Sequence, residues 1–197
     1  MPNVIRRFRR ADPRLPGLPT RSLQAGESHH LRDHLMRLTP EDRRLRFHGH
    51  LSQGALDAHV AAAFGPGRHV IGWFEHGVMR AAAELAETDR IIELAVTVEG
   101  PWRRRGVGRA LLLRARDRAA AHGADSLVVH AARGNGAMIG LATSLGAAIA
   151  ADGADVEGVI PMPHSRPLRF IFDLARQEAA LARRVIDRGR KAWRGAA

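Results

Sequence analysis

The spacing of apolar residues changes at Gly65-Pro66-Gly67. Before that break, Leu31, Leu35 and Leu38 recur at helical intervals, and Gly26-Glu27-Ser28 offers Ser28 as an N-cap. Thr39-Pro40-Glu41-Asp42 is a second helix start, with a threonine cap, proline at the first helical position and acids in the first turn. That helix should run from Glu41 to Phe47, bury Leu45 and Phe47, and stop at His48-Gly49-His50. Ser52 caps a third helix to about Phe64, and Thr20 to Ala25 reads as a short first strand.

After the break the pattern is that of strands. Arg68 to Glu75, Val78 to Ala86 and Ile91 to Val98 are separated by His76-Gly77 and Thr88-Asp89, which predicts an antiparallel meander. Ala110 to about His122 returns to helical spacing, with Gly123 past its end. Ser126 to His130 is a buried strand, parallel to the central one because a helical crossover joins the two. A helix from Ala137 to Leu145 follows Gly134-Asn135-Gly136, and Ala147 to Ala151 and Val156 to Ile160 are two last strands. The order predicts an α/β (α+β) domain with a mixed, mostly antiparallel sheet.

The central strand feeds Trp102-Arg103-Arg104-Arg105-Gly106-Val107-Gly108-Arg109, and that loop opens a helix at Ala110. Such a unit binds anions. The first N–H groups of a helix lack internal partners, the helix dipole is positive there, and glycine lets a phosphate approach the backbone. No lysine follows these glycines, which excludes a Walker loop. Leu111 stands where the dinucleotide fingerprint needs Gly or Ala. Arg103-Arg104-Arg105-Gly106-Val107-Gly108 does fit Arg/Gln-x-x-Gly-x-Gly/Ala.

Composition narrows the classes further. The 197-residue chain has no cysteine, which excludes disulfides, thiolate metal sites and a cysteine nucleophile. No apolar run approaches a membrane span, and the start has no signal-peptide core, so a cytoplasmic protein is expected. His30 and His34 stand i,i+4, but no carboxylate accompanies them as a metallohydrolase helix requires. They read as surface histidines, and no metal is expected. The net charge of +11 lies mostly at the ends. Residues 1–20, a proline-rich leader, hold five arginines against one aspartate, and residues 165–197, a basic helix, hold nine basic residues against three acidic. Basic tails fit contact with nucleic acid or an acidic protein, although the body has no recognisable nucleic-acid motif. The apolar stripe of the C-terminal helix needs cover from the body or from a second subunit in a homodimer.

The glycine loop in this setting resembles the acyl-CoA pyrophosphate loop of the GNAT superfamily of N-acyltransferases. The resemblance covers about Arg21 to Met162. Leu38-Thr39-Pro40-Glu41-Asp42-Arg43-Arg44-Leu45-Arg46-Phe47 is similar to the opening of GNAT domains in bacterial protein lysine acetyltransferases. The resemblance implies a central strand splayed from its parallel neighbour, with the pantetheine of acetyl-CoA in the gap. The backbone of Val96 and Val98 would pair with the pantetheine amides, and Arg103, Arg104, Arg105, Gly106, Val107, Gly108, Arg109 and Ala110 would hold the pyrophosphate. Asn135 matches an asparagine that contacts the pantetheine arm. The resemblance implies that a domain over 21–164 moves an acyl group, acetyl in the first place, from CoA to a primary amine.

Glu93 is the only ionisable residue inside the central strand, and a carboxylate there needs a reason. Related acetyltransferases use a glutamate on this strand as general base, which the resemblance carries onto Glu93, with Glu84 as runner-up. In the competing reading either glutamate simply pairs with Arg80 or Arg90. The chain departs from the family where Ala142 replaces the usual tyrosine, a general acid, and Ala147 replaces an aromatic. These losses admit an alternative: a catalytically degenerate domain that binds acyl-CoA as a sensor or partner module.

Overall fold

Seven strands form one sheet in the order β1-β2-β3-β4-β5-β7-β6. They are β1 (Thr20–Ser22), β2 (Arg68–Glu75), β3 (Val78–Thr88), β4 (Ile91–Val98), β5 (Ser126–Ala132), β6 (Ala148–Asp152) and β7 (Asp155–Pro161). The structure is a computed structural model that describes residues 20–162; the leader up to residue 19 and the helix expected over 165–197 lie outside the described residues. Every neighbouring pair is antiparallel except β4 with β5. The β2–β3 turn places His76 and Gly77 at φ 49° and 77°, the double positive-φ form that matches strand twist.

The period of two along the meander sorts side chains onto two faces. On one face Ile71, Trp73, Ala81, Ala83, Leu85, Ile92 and Leu94 meet Leu111, Leu112, Ala115 and Ala119 of α4 (Val107–Ala121). On the other, Val70, Met79 and Ala82 pack against Leu31 and Leu35 of α1 (Ser28–Arg37) and Leu56 and Val60 of α3 (Gln53–Ala62). α5 (Gly136–Thr143) packs beside α4 over β5, β6 and β7. α2 (Pro40–Phe47) carries the expected Thr39 cap, whose hydroxyl accepts the Asp42 N–H at 3.1 Å.

Three local expectations are corrected. Ser28 does not cap α1, because a 3-10 turn over Ala25–Glu27 runs straight into the helix and Ser28 is already helical. Instead the Glu27 carboxylate accepts the Gln24 N–H at 3.0 Å. Leu45 and Phe47 are only half-buried, α2 having no fully buried residue, and Phe47 packs against the edge of the α1–α3 core. His34 is not on the surface but is 0% exposed. Among the described residues, no helix is long and apolar enough to cross a membrane, and no group of three potential metal ligands occurs.

Candidate active site

The parallel pairing of β4 with β5 stops halfway. Ile91 to Leu94 lie opposite Ser126 to Val129, and then the strands part. Beyond that point β4 remains paired with β3 as far as Val98 opposite Ala81, and β5 remains paired with β7 as far as Ala132 opposite Asp155. The Glu99 N–H donates to the Arg80 carbonyl on β3 at 3.0 Å. Its own peptide carbonyl, that of Val98, therefore points the other way, into the gap. A strand residue directs its N–H and C=O to the same side, and the side alternates along the strand. The N–H and C=O groups of Val96 and Val98 thus both face the space β5 has left.

The gap leads to the glycine loop. A short 3-10 turn over Gly100–Trp102 ends β4, and the Trp102 ring packs 5.5 Å from Trp73, with the Arg105 guanidinium 4.9 Å from the Trp102 centroid on its other contact. Gly106 adopts φ 82°, the left-handed region that favours glycine, and Arg104 is held at φ 61°. The first intrahelical bond is Ala110 N–H to Gly106 C=O, 2.9 Å, so the N–H groups of Val107, Gly108 and Arg109 precede the helical ladder. A Cβ on Gly108 would already meet Leu141 at 3.4 Å and Val98 at 3.7 Å, because α4, α5 and β4 converge there. Asn135 caps α5, its Oδ1 accepting the Met138 N–H at 3.1 Å.

The two candidate carboxylates share one face of the sheet, the face opposite α4. In register, Glu84 lies across from Ala95, and Glu93 lies between Ala86 and Val128. Their surroundings differ. Glu84 is 8% exposed and accepts from Arg46 at 3.1 Å and from His59 Nε2 at 2.6 Å. Burial pushes its carboxyl up, but the charge of Arg46 and the His59 contact more than offset this and hold it at about 2. A carboxylate that acidic is a poor proton acceptor at neutral pH. Glu93 is half-buried and makes no hydrogen bond or ion pair with a described residue. Arg80 pairs with Glu99 and Arg90 with Asp125, so neither arginine serves Glu93.

Three further groups were not read from the sequence as a site. His34 bridges Thr97 Oγ1 at 2.8 Å and Glu99 Oε1 at 3.1 Å. Glu99 also accepts from Arg37 at 2.9 Å and Arg80 at 3.1 Å, and these partners hold it below the ordinary carboxylate range despite its burial. The signal was present: His34 lies three residues after Leu31 and one before Leu35, on the apolar side of α1. The second group is Asp42 with Arg103, at 2.6 Å. The third lies past the parting of the strands, where His48 Nδ1 is 3.2 Å from Asp155 and His130 is 4.0 Å from Glu157. At the missing-tyrosine position, Ala142 is 1% exposed and lines a small apolar pocket with Val129, Ala131, Ile149, Val156 and Gly158. Ser144 donates its hydroxyl to the Leu141 carbonyl at 2.7 Å.

A mixed sheet with one parted parallel pair, opening onto a glycine-rich helix N-terminus, defines the class. The family model described as "Acetyltransferase (GNAT) family" matches residues 29–147, and the chain belongs to that family. No curated protein matches the chain in sequence. Among solved structures, it is similar to the GNAT domain of S. lividans PAT, with TM-score 0.65, 17% identity, and 73% of this chain covering 89% of that one. It is also similar to the ribosomal-protein-S18-alanine N-acetyltransferase of Escherichia coli, with TM-score 0.59, 22% identity and coverage of 75% and 94%. A GNAT superfamily phosphinothricin acetyltransferase from Sinorhizobium meliloti, solved with acetyl-CoA, gives TM-score 0.61, 14% identity and coverage of 74% and 89%. At these identities the structural likeness concerns the fold.

Proposed function

We propose that the protein is an acyl-CoA-dependent N-acyltransferase that moves acetyl from acetyl-CoA to a primary amine, on a protein or a small molecule, in the cytoplasm. The observation that carries this reading is the parted β4–β5 pair, whose gap-side backbone at Val96 and Val98 leads to the helix N-terminus at Gly106 to Ala110. Pantetheine amides pair with the first, and the pyrophosphate sits on the second. The acceptor approaches from the face opposite α4. Glu93 takes a proton from its ammonium, directly or through a water, and the neutral nitrogen attacks the thioester carbonyl carbon. A backbone N–H near Val96 stabilises the oxyanion. The C–N bond forms, the C–S bond breaks, and the CoA thiolate leaves; with a thiol pKa near ~8.5 it needs little acid assistance. That tolerance matters because the chain contains no tyrosine.

Calorimetry with acetyl-CoA tests the reading. Wild type should bind, and Gly108→Glu, which puts bulk and negative charge where α4, α5 and β4 converge, should lose affinity by 100-fold or more. Equal affinity in the two proteins would remove the donor assignment. One feature favours a second reading, a sensor that binds acyl-CoA without turnover: a small, buried Ala142 where the family carries tyrosine. Tight binding with no product from a broad amine panel would select it.

A further inference from the structure

The loop motif assigns Arg103 to the phosphates, but its side chain is turned elsewhere. Nε donates to the Val98 carbonyl at 3.0 Å, and NH2 lies 2.6 Å from Asp42 Oδ1. Asp42 belongs to α2, and α2 reaches the sheet face opposite α4 through Arg46 to Glu84. The guanidinium of Arg103 therefore spans from the end of β4 to the acceptor-side helix. Asp42 is prepared for it. Thr39 donates its hydroxyl to Asp42 Oδ2 at 2.7 Å, and Asp42 is only 15% exposed at the side chain. Burial pushes its carboxyl up, and Arg103 and Thr39 outweigh that and leave it lowered. The same helix contacts both sides of the parted strands. Arg46 holds Glu84 on β3, and His48, at the end of α2, lies 3.2 Å from Asp155 on β7.

We infer that Arg103 is a positioning residue rather than a phosphate ligand, and that the Asp42–Arg103 pair is a clasp tying the donor loop to α2, the wall of the acceptor side. This rests on the donor reading above. Because Arg103 occupies one lone pair of a carbonyl that faces the gap, ordering of β4 and its loop by the donor is transmitted to α2. A carbonyl oxygen accepts two hydrogen bonds, so Val98 can hold Arg103 and still face the donor.

The test uses the full chain, wild type, Asp42→Asn and Arg103→Gln, with acetyl-CoA as the probe. Asn keeps the shape of Asp42, and Arg103 is half-exposed, so both variants should fold. Calorimetry should give acetyl-CoA affinities within about threefold of wild type for both. Hydrogen exchange of the α2 amides should slow on acetyl-CoA binding in wild type, and this protection should disappear in both variants. In the free proteins, α2 should exchange faster in both variants, by a similar factor. Loss of acetyl-CoA affinity by tenfold or more in Arg103→Gln but not in Asp42→Asn would make Arg103 a phosphate ligand and overturn the clasp. So would variants that keep donor-induced protection of α2. If wild type itself fails to bind acetyl-CoA, the donor reading falls, and equal α2 exchange in the three free proteins would separately remove the clasp.

Discussion

The two halves of β4 differ by one bonded neighbour. Ile91 to Leu94 are paired on both sides, to β3 and β5, whereas Ala95 to Val98 are paired only to β3. The open half is not loose. Thr97 and, just beyond it, Glu99 are pinned to α1 and β3 by His34, Arg37 and Arg80. The facing half of β5 is bonded to β7 from His130 to Ala132. Each parted end is thus anchored to its other neighbour. A binding cleft between strands needs this, because exposed backbone donors and acceptors would otherwise find each other.

Proline, which removes one N–H, should separate the two halves of β4 most strongly. Leu94 and Val96 direct their N–H groups to the same side, but only at Leu94 is β5 there to receive it. Leu94→Pro removes a ladder hydrogen bond from a strand paired on both sides and should leave little folded protein by circular dichroism. Val96→Pro should fold, with acetyl-CoA affinity lower by tenfold or more. Equal unfolding of both would mean that the gap-side backbone of Val96 already has a structural partner.

The next test concerns chemistry at the paired half. Glu93→Gln should leave acetyl-CoA affinity intact and lower kcat near neutral pH by roughly 100-fold, with partial recovery at high pH as the amine deprotonates itself. An unchanged rate would take Glu93 out of the mechanism. Glu84 should behave in the opposite way, through stability. Its carboxyl sits at about 2 in the fold against an ordinary 4.5, so its contribution is complete above about pH 4.5 and is lost as pH falls toward 2. That contribution is roughly 3 kcal/mol. Acid unfolding of Glu84→Gln should therefore show a weaker pH dependence across that window, and a curve parallel to wild type would contradict the buried pair. The smallest effect is expected in the loop. Gly106→Ala puts a Cβ at φ 82°, which should cost about 1–2 kcal/mol and lower Tm by several degrees. No change in Tm would mean that the loop relaxes its left-handed turn.

The chain's own periodicity determined the helices of the first third, the meander from Arg68 to Val98, the crossover through α4 and the glycine turn at Gly106. Those signals are local: a cap three residues from its partner, alternation by two, a glycine where φ is positive. Tertiary structure decided what each charge does. The apolar side of α1 marks His34 as buried, but its partner Glu99 lies 65 positions away and Glu84 finds Arg46 across 38, so nothing near them in sequence names the partner. Arg103 bonds Val98 five residues back through its own side chain, yet its orientation depends on Asp42 in α2. The parting of β4 and β5 was not in the chain's periodicity, and only the family resemblance implied it. Both read as strands with no break in their pattern, and only the competing bonds to β3, α1 and β7 set where their shared ladder ends.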